Sequence, residues 1–319
     1  MRRLGAVLGL VGVLGLAAAL VATTEPTPTV PVAPSRLDAK APSSSTTTTA
    51  PAPSPRTPPE AACAPYGDPE VAGIVDEPGL VELSGLAASR SRPGVFWAHN
   101  DSRGDPELFG ITLDGASLGA TRLEGALAFD WEDVAVGPGP DGEPWVFVGD
   151  IGDNFGIRAG EVTVYALPEP EPGIAAAKVT AVLRSRLPDG PHDAEALFVD
   201  VDGTPYLVTK DPVRVYRLGE EAELVAEPSV DAPVTGADVS WDGTVVALRG
   251  YETAWLWPRR RSLAETLAAA PCRIHLADEP QGEAIAFAGD GAIVTSSEGR
   301  RPEVHRIPRR ELSGGSGSA

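Results

Sequence analysis

Glu132, Glu195 and Glu283 hold the same place in three near-repeated phrases, WEDVAV, AEALFV and GEAIAF. In a fourth phrase, GADVSW, Asp238 stands one position later, and in a fifth, SGLAAS, the place belongs to Ser84. Carboxylates brought together by such a repeat repel one another, which raises their pKa values or draws in a cation. Three chemistries follow. Hard oxygen donors at this density suit Ca²⁺, which takes six to eight of them in loose geometry, so Glu132, Glu195, Asp238 and Glu283 are the candidate metal ligands. Alternatively Lys210 and Arg249, the basic residues at equivalent positions, neutralise the acids in a buried network. Or an acid and a base with separated pKa values carry out hydrolysis, with Glu132, Glu195 and His192 as catalytic candidates. The same residues also suit a structural role, since buried backbone groups between repeats need polar partners whatever the function.

The elements that must position these residues are themselves repeated. Aligned on Leu86, Val134, Leu197, Val239 and Ile285, five phrases recur at intervals of 48, 63, 42 and 46 residues. Each is followed by a second β-rich run (VFWAHND, WVFVGD, YLVTK, VVALRG, AIVTSSE), most of them after a turn such as PDGEP, VDGTP or WDGT. A third run follows and usually a fourth. Alternating apolar residues around Asp-Gly turns are hairpin signals, and four strands per unit at this period predict a β-propeller. The count is five blades, with six as the alternative. The fifth blade lacks a fourth strand, which residues 70–77 are expected to supply from the other end of the chain, closing the ring and covering its free edge. SLAETLAAA, with Ser262 and Glu265 spaced as a capping box, predicts one short helix in the fourth blade.

In this architecture the innermost strand of each blade lines a central channel, and the end of the second strand lies on the same face as its start. The second runs end in Asn100 with Asp101, Asp150, Lys210, Arg249, and Ser297 with Glu298. Asn100, Asp101, Asp150, Lys210 and Arg249 are therefore expected to bind ligand around one channel mouth. His99 and His192 are placed there too, while His275 and His305 fall on outer strands and are expected to face solvent. GDIGDNFG has the Asp/Asn/Gly spacing of a cation loop but no closing bidentate Glu; it equally reads as a turn of Asx hydrogen bonds. The six Trp residues fall at strand positions as core, with Trp131 a candidate exception at the mouth. No nucleophile elbow, zinc His pair, P-loop or dinucleotide loop is present.

Outside the repeats, Arg2 and Arg3 precede an apolar run from Leu4 to Ala22. This is the pattern of a signal peptide cleaved after Ala22, with retention of residues 4–22 as an N-terminal membrane anchor the alternative. Residues 23–62, rich in Pro, Thr, Ser and Ala, cannot bury enough apolar surface to fold and predict a disordered stalk. The propeller is assigned to residues 63–310 and a disordered tail to 311–319. Two cysteines in an exported chain, Cys63 and Cys272, predict one disulfide. The formal net charge of −19 excludes nucleic acid as a natural partner. A small polar ligand or a cell-surface protein is expected instead, bound by a monomer that is secreted or held at the cell surface.

ELSGLAAS, FWAHNDS, DWEDVAVGPG, VGDIGDN, PHDAEALFVD, VTGADVS and PQGEAIAF resemble a group of secreted bacterial propeller proteins over residues 66–308. More distantly, the pattern is similar to phytase-like and gluconolactonase/regucalcin-like propellers. The resemblance implies the fold and export. The distant relatives imply a divalent cation, usually calcium, held by acids at the channel mouth, with phosphoesters or lactones as substrates. They have six blades where five are counted here, so no catalytic residue is carried over. The expected function is an exported binding or scaffold module with an acidic cation or ligand site, the alternative a cation-assisted hydrolase of phosphoesters, lactones or glycosides.

Overall fold

The strands begin and end where the sequence places turns. In the Asp-Gly hairpins the aspartate accepts a hydrogen bond from the backbone two residues on: Asp141 from Glu143 at 3.1 Å, Asp202 from Thr204 at 3.0 Å, Asp290 from Ala292 at 3.1 Å. The glycine that follows takes a left-handed backbone, φ 82° at Gly142 and 84° at Gly203, which a side chain would strain. A computed structural model describes residue 63, residues 65–101 and residues 104–310. The expected leader, stalk and tail lie outside the described residues. Among the described residues no helix is long and apolar enough to cross a membrane.

Five antiparallel sheets form five blades. The first contains β2 (Leu83–Ala88), β3 (Val95–Asn100), β4 (Glu107–Thr112) and β5 (Ser117–Glu124). The second contains β6 (Trp131–Pro138), β7 (Pro144–Asp150), β8 (Glu161–Pro168) and β10 (Ala181–Arg186). Between β8 and β10 the chain crosses to the first blade, where β9 (Ala176–Lys178) pairs in parallel with β5 and covers its outer edge. That excursion accounts for the longest repeat interval. The third blade is β11 (Ala194–Val199), β12 (Pro205–Thr209), β13 (Val215–Arg217) and β14 (Glu223–Ala226). The fourth is β15 (Gly236–Val239), β16 (Val245–Arg249), β17 (Thr253–Pro258) and β18 (Cys272–His275), with the helix α1 (Leu263–Leu267) inserted after β17. Ser262 caps α1 by accepting from the Glu265 backbone N–H at 3.1 Å.

The fifth blade consists of β19 (Gly282–Phe287), β20 (Ile293–Ser297), β21 (Glu303–Ile307) and, as expected, a strand from the other end of the chain, β1 (Glu70–Ile74). β1 runs antiparallel to β21, with Glu70 opposite Arg306 and Ile74 opposite Glu303. The innermost strands then touch in cyclic order, β2, β6, β11, β15, β19 and back to β2. One apolar cluster fills each of the five blade boundaries. The core thus sits between blades, and Trp97, Trp131, Trp255 and Trp257 are fully buried in it. Trp131 is therefore core, not mouth: its indole N–H donates to the Leu127 carbonyl at 2.8 Å.

Polar struts join the innermost strands. Asp133 accepts from Val134 N in its own blade and from Leu197 N in the next, at 2.8 and 2.9 Å. Asp238 repeats the device with Val239 N and Phe287 N, both at 2.7 Å. Ser84 donates to the Glu132 carbonyl across the boundary of the first two blades, and Thr235 donates to the Gly282 carbonyl across the same boundary that Asp238 spans.

Cys63 and Cys272 form a disulfide that spans 209 residues, with Cα atoms 5.9 Å apart. It ties the segment entering β1 to β18 of the fourth blade, while Tyr66 bridges Arg309 beside it. The disulfide is expected to stabilise the ring by about 2–4 kcal/mol, chiefly by restricting the unfolded chain. Denaturant unfolding of a Cys63→Ser/Cys272→Ser variant measures this; a loss below about 0.5 kcal/mol would show that β1 pairing suffices alone.

Candidate functional site

The glutamate column is carried by a backbone irregularity. In β6 the register with β7 slips between Trp131 and Asp133; in β11 it slips between Ala194 and Ala196; in β19 between Gly282 and Ala284. The extra residue is Glu132, Glu195 and Glu283 in turn. A bulge removes one residue from the ladder and re-aims its side chain. β2 slips similarly between Leu83 and Leu86, around Ser84 and Gly85. β15 pairs without a slip and has Ala237 in the column. Each glutamate of the column thus sits on a bulge, while β2 has a bulge with Ser84 in place of the acid.

Glu132 is the focus. It is 3% exposed, and its Oε1 is buried without a hydrogen-bond partner. One ligand oxygen each from Asp101, Asp130 and Glu132 lies within 4.8 Å of the others, the one such trio of His, Cys, Asp or Glu among the described residues. Asp101 follows β3, while Asp130 and Glu132 enter β6, so the trio straddles the boundary of the first two blades. Gly152 makes room for it, since a Cβ there would stand 2.0 Å from Glu132 Oε1 and 2.7 Å from Asp130 Oδ2. Burial, and then the charges of Glu195, Asp101, Asp130 and Asp193, hold the Glu132 carboxyl well above its usual pKa. Burial followed by Asp101 raises Asp130 as well.

Further round the ring, Lys210 Nζ donates to Glu195 Oε1 at 2.7 Å. Burial pushes Glu195 up to about 7, against the pull of that ammonium. Burial by itself would lower Lys210, but the hydrogen bond and charge of Glu195 outweigh it and raise the ammonium. Glu283 is pushed up to about 8 by burial and then by Glu298, to which it hydrogen-bonds. Two carboxyls can share such a bond only while one keeps its proton.

The structure places the other expected residues elsewhere or in other roles. Asp238 does not join the metal candidates, because both its oxygens are held by Val239 N and Phe287 N. Arg249 is not a ligand-facing cation: it is fully buried, with Nη1 2.9 Å from Glu279 and 2.8 Å from the Ala284 carbonyl. Asn100 spends its side chain locally, accepting from Val81 N and Glu82 N and donating to the Gly79 carbonyl. Asp150 pairs with Arg158 and accepts from Asp130 N at 3.1 Å, which fixes Asp130 from behind. His192 turns to Asp189, 3.1 Å away, and to Arg214, so it stands outside the acid ring. His99 is fully buried, its Nδ1 2.8 Å from the Asn100 carbonyl; burial lowers it to about 4 and keeps it neutral. His275 is exposed as expected. His305, expected in solvent, is instead buried between Glu279 and Glu303, at 2.9 and 3.1 Å. In GDIGDNFG, Asp153 accepts from Ile157 N and Arg158 N, so its carboxylate holds the loop together through Asx hydrogen bonds.

A larger cavity of about 510 Å³ lies at the outer edge of the fifth blade, beside Val71, Gly73 and Ile74. Its charged residues include Asp76 and Arg301, which are paired with each other. The orphaned oxygen and the trio make the entrance of β6, beside Asp101, the candidate site instead.

No family model matches the chain, and no curated protein matches it. Among solved structures it is similar to a streptogramin B lyase, at 12% identity, 77% of this chain, 99% of that chain and TM-score 0.41. It is also similar to a luciferin-regenerating enzyme, at 14% identity, 72% of this chain, 78% of that chain and TM-score 0.41. A third is the glutaminyl cyclase of Myxococcus xanthus, at 12% identity, 75% of this chain, 95% of that chain and TM-score 0.47. All three are β-propeller proteins. The blade count here rests on the chain's own strand pairing.

The raised carboxyls make stability depend on pH. Glu195 and Glu283 release protons at about 7 and about 8 when folded, against a usual 4.5. Between roughly pH 4.5 and 8 the folded state holds more protons than the unfolded one, so stability falls as pH rises through that window. His305, raised by Glu279, adds a loss of the same sign, while Glu279, held below its usual value, acts only in more acid solution. In metal-free protein, Glu195→Gln/Glu283→Gln is expected to flatten the fall by on the order of 1–3 kcal/mol. Denaturation midpoints from pH 5 to 9 measure it; an unchanged slope would assign the dependence to the other raised groups, Glu132, Asp133, Asp238 and His305.

Proposed function

We propose that this chain is an exported propeller whose acidic channel mouth binds a hard divalent cation, calcium by preference, as the core of a small-ligand binding site. The observation that carries the reading is Glu132 Oε1, buried and unpartnered beside two further carboxylates. Oxygens within 4.8 Å of one another suit a common ion, because Ca–O bonds of about 2.4 Å span that separation. The ligand set is Asp101, Asp130 and Glu132, with neighbouring Glu195 and Glu283 setting the field. Export is supported by the leader pattern and by the disulfide, which belongs in an oxidising compartment. The stalk then acts as a tether, and a single chain is the working unit.

Calcium in excess of its Kd by about 100-fold is expected to stabilise the protein by about 2.7 kcal/mol. Glu132→Gln is expected to remove that gain while leaving the metal-free protein as stable as wild type or more so, since it deletes a buried repulsion. Differential scanning calorimetry with and without calcium checks both; a calcium response that survives Glu132→Gln places the ion elsewhere.

A second reading, cation-assisted hydrolysis, draws support from Glu195, whose release near pH 7 fits a general base. Aryl phosphoesters, lactones and aryl glycosides with calcium are the substrates to try. Turnover rising through pH 7 and lost by at least about 100-fold in Glu195→Gln would establish it; no turnover leaves the binding module.

A further inference from the structure

Beside the acidic trio the surface changes character. Leu127, Phe129, Phe155 and Ile157 are 73%, 53%, 78% and 64% exposed, on the loop entering β6 and on the loop after β7. Scattered apolar side chains on a surface need no explanation, but a contiguous group beside a polar site does. Phe129, Phe155 and Ile157 line a cavity of about 130 Å³ whose wall also includes Asp130 and Asp153. Asp130 thus belongs to both the apolar cavity and the cation trio.

The lip is held in shape without a ligand. Asp153 fastens its loop through Ile157 N at 2.6 Å, and Asp153 N is fastened in turn to Asp193 at 3.0 Å. Arg158, paired with Asp150, lies over the Phe129 ring at 4.8 Å and fixes that ring from one side. Apolar surface that stays exposed on an ordered loop is preorganised for a partner. Its size selects the kind of partner. A stable protein interface takes about 800 Å² from each side, whereas a cavity near 150 Å³ holds one benzene-sized group.

Charge selects the polar end. Metal binding requires Asp101, Asp130 and Glu132 to be ionised, and three carboxylates exceed the charge of one divalent ion. Asp193 and Glu195 add to the field felt at Glu132. An anionic ligand meets net repulsion there, and an uncharged oxygen does not.

Resting on the cation site above, we infer that the mouth binds small uncharged molecules that join an oxygen donor, such as an amide or ester carbonyl, to an aromatic or branched alkyl group. The oxygen completes the cation's coordination, and the apolar group fills the cavity between Phe129, Phe155 and Ile157.

Phenylacetamide, phenylacetate and acetamide are the probes, titrated by ligand-observed NMR into full-length protein with and without calcium. Phenylacetamide is expected to bind the calcium-loaded protein at least tenfold more tightly than either other probe. Phe155→Ser/Ile157→Ser, which alters only exposed side chains, is expected to weaken phenylacetamide at least tenfold and to change the calcium Kd less than twofold. Phe155→Leu/Ile157→Val should restore most of the affinity. Calcium binding with phenylacetamide affinity indifferent to the lip would overturn this inference alone. Preference for phenylacetate would overturn the uncharged donor. A chain that binds no calcium loses both this inference and the cation site.

Discussion

The ring exists because β1, which precedes the first blade in sequence, hydrogen-bonds to β21 of the last. Without that pairing the fifth blade would have three strands and an open edge, and the chain would be free to splay between the first and last blades. The apolar cluster at that boundary contains Leu83, Leu86 and Phe96 from one side and Ala284, Ala286 and Val294 from the other. It forms only when the ends meet. Several devices converge on the closure: the Cys63–Cys272 disulfide, the Tyr66–Arg309 bridge and the buried group of Arg249, Glu279 and His305. Glu279 sits between a buried guanidinium and the imidazole of β21. Removing either side would leave an uncompensated charge in the interior, which is strongly destabilising.

Closure also makes the site. Side chains in a strand alternate, so residues next to one another cannot share a direction. The starts of the innermost strands use this twice over. Asp133 and Asp238 reach sideways and hold the next blade through backbone N–H groups, whereas Glu132, one position earlier, is displayed at the mouth. The bulges permit it by dropping one residue from the ladder. Where β15 has no bulge, its column position holds Ala237, and only the strut remains. The same few residues therefore both tie the ring and display its acids.

Much of this was readable from the sequence. Repetition at intervals of 42 to 63 residues, Asp-Gly turns and period-2 alternation mark the blades, and the missing strand of the fifth blade points to residues 70–77. The column of Glu132, Glu195 and Glu283 was legible too. Reading by column failed where neighbouring columns differ by one residue, because strand alternation then reverses the direction. By column Asp238 groups with the glutamates, whereas in the fold it is a strut. Arg249 and Asn100 sit at the right strand ends, but each has backbone partners close in space and distant in sequence. The acidic trio combines Asp101 from one blade with Asp130 and Glu132 from the next. Both segments were visible; their adjacency across a boundary follows from blade order, and a residue-by-residue alignment of repeats separates them. The apolar lip carries no repeat at all, and Phe155 and Ile157 look in sequence like ordinary loop residues.

What distinguishes Glu132 from the other acids is how the nearby positive charge has been distributed. Lys210 is committed to Glu195, Arg158 to Asp150 and Arg249 to Glu279. Glu283 relieves its own burial by hydrogen-bonding to Glu298. Glu132 is as buried as Glu195 and Asp150, and its Oε1 has no such partner. A buried carboxyl in that position has two ways to lower its energy, to keep its proton or to bind a cation. The two would compete for the same oxygens, so a cation bound as proposed would be held more tightly as pH rises. Proton and metal would thus be alternative occupants of the oxygens of Glu132, while Glu195 and Glu283, further round the ring, set the stability of the metal-free protein at high pH.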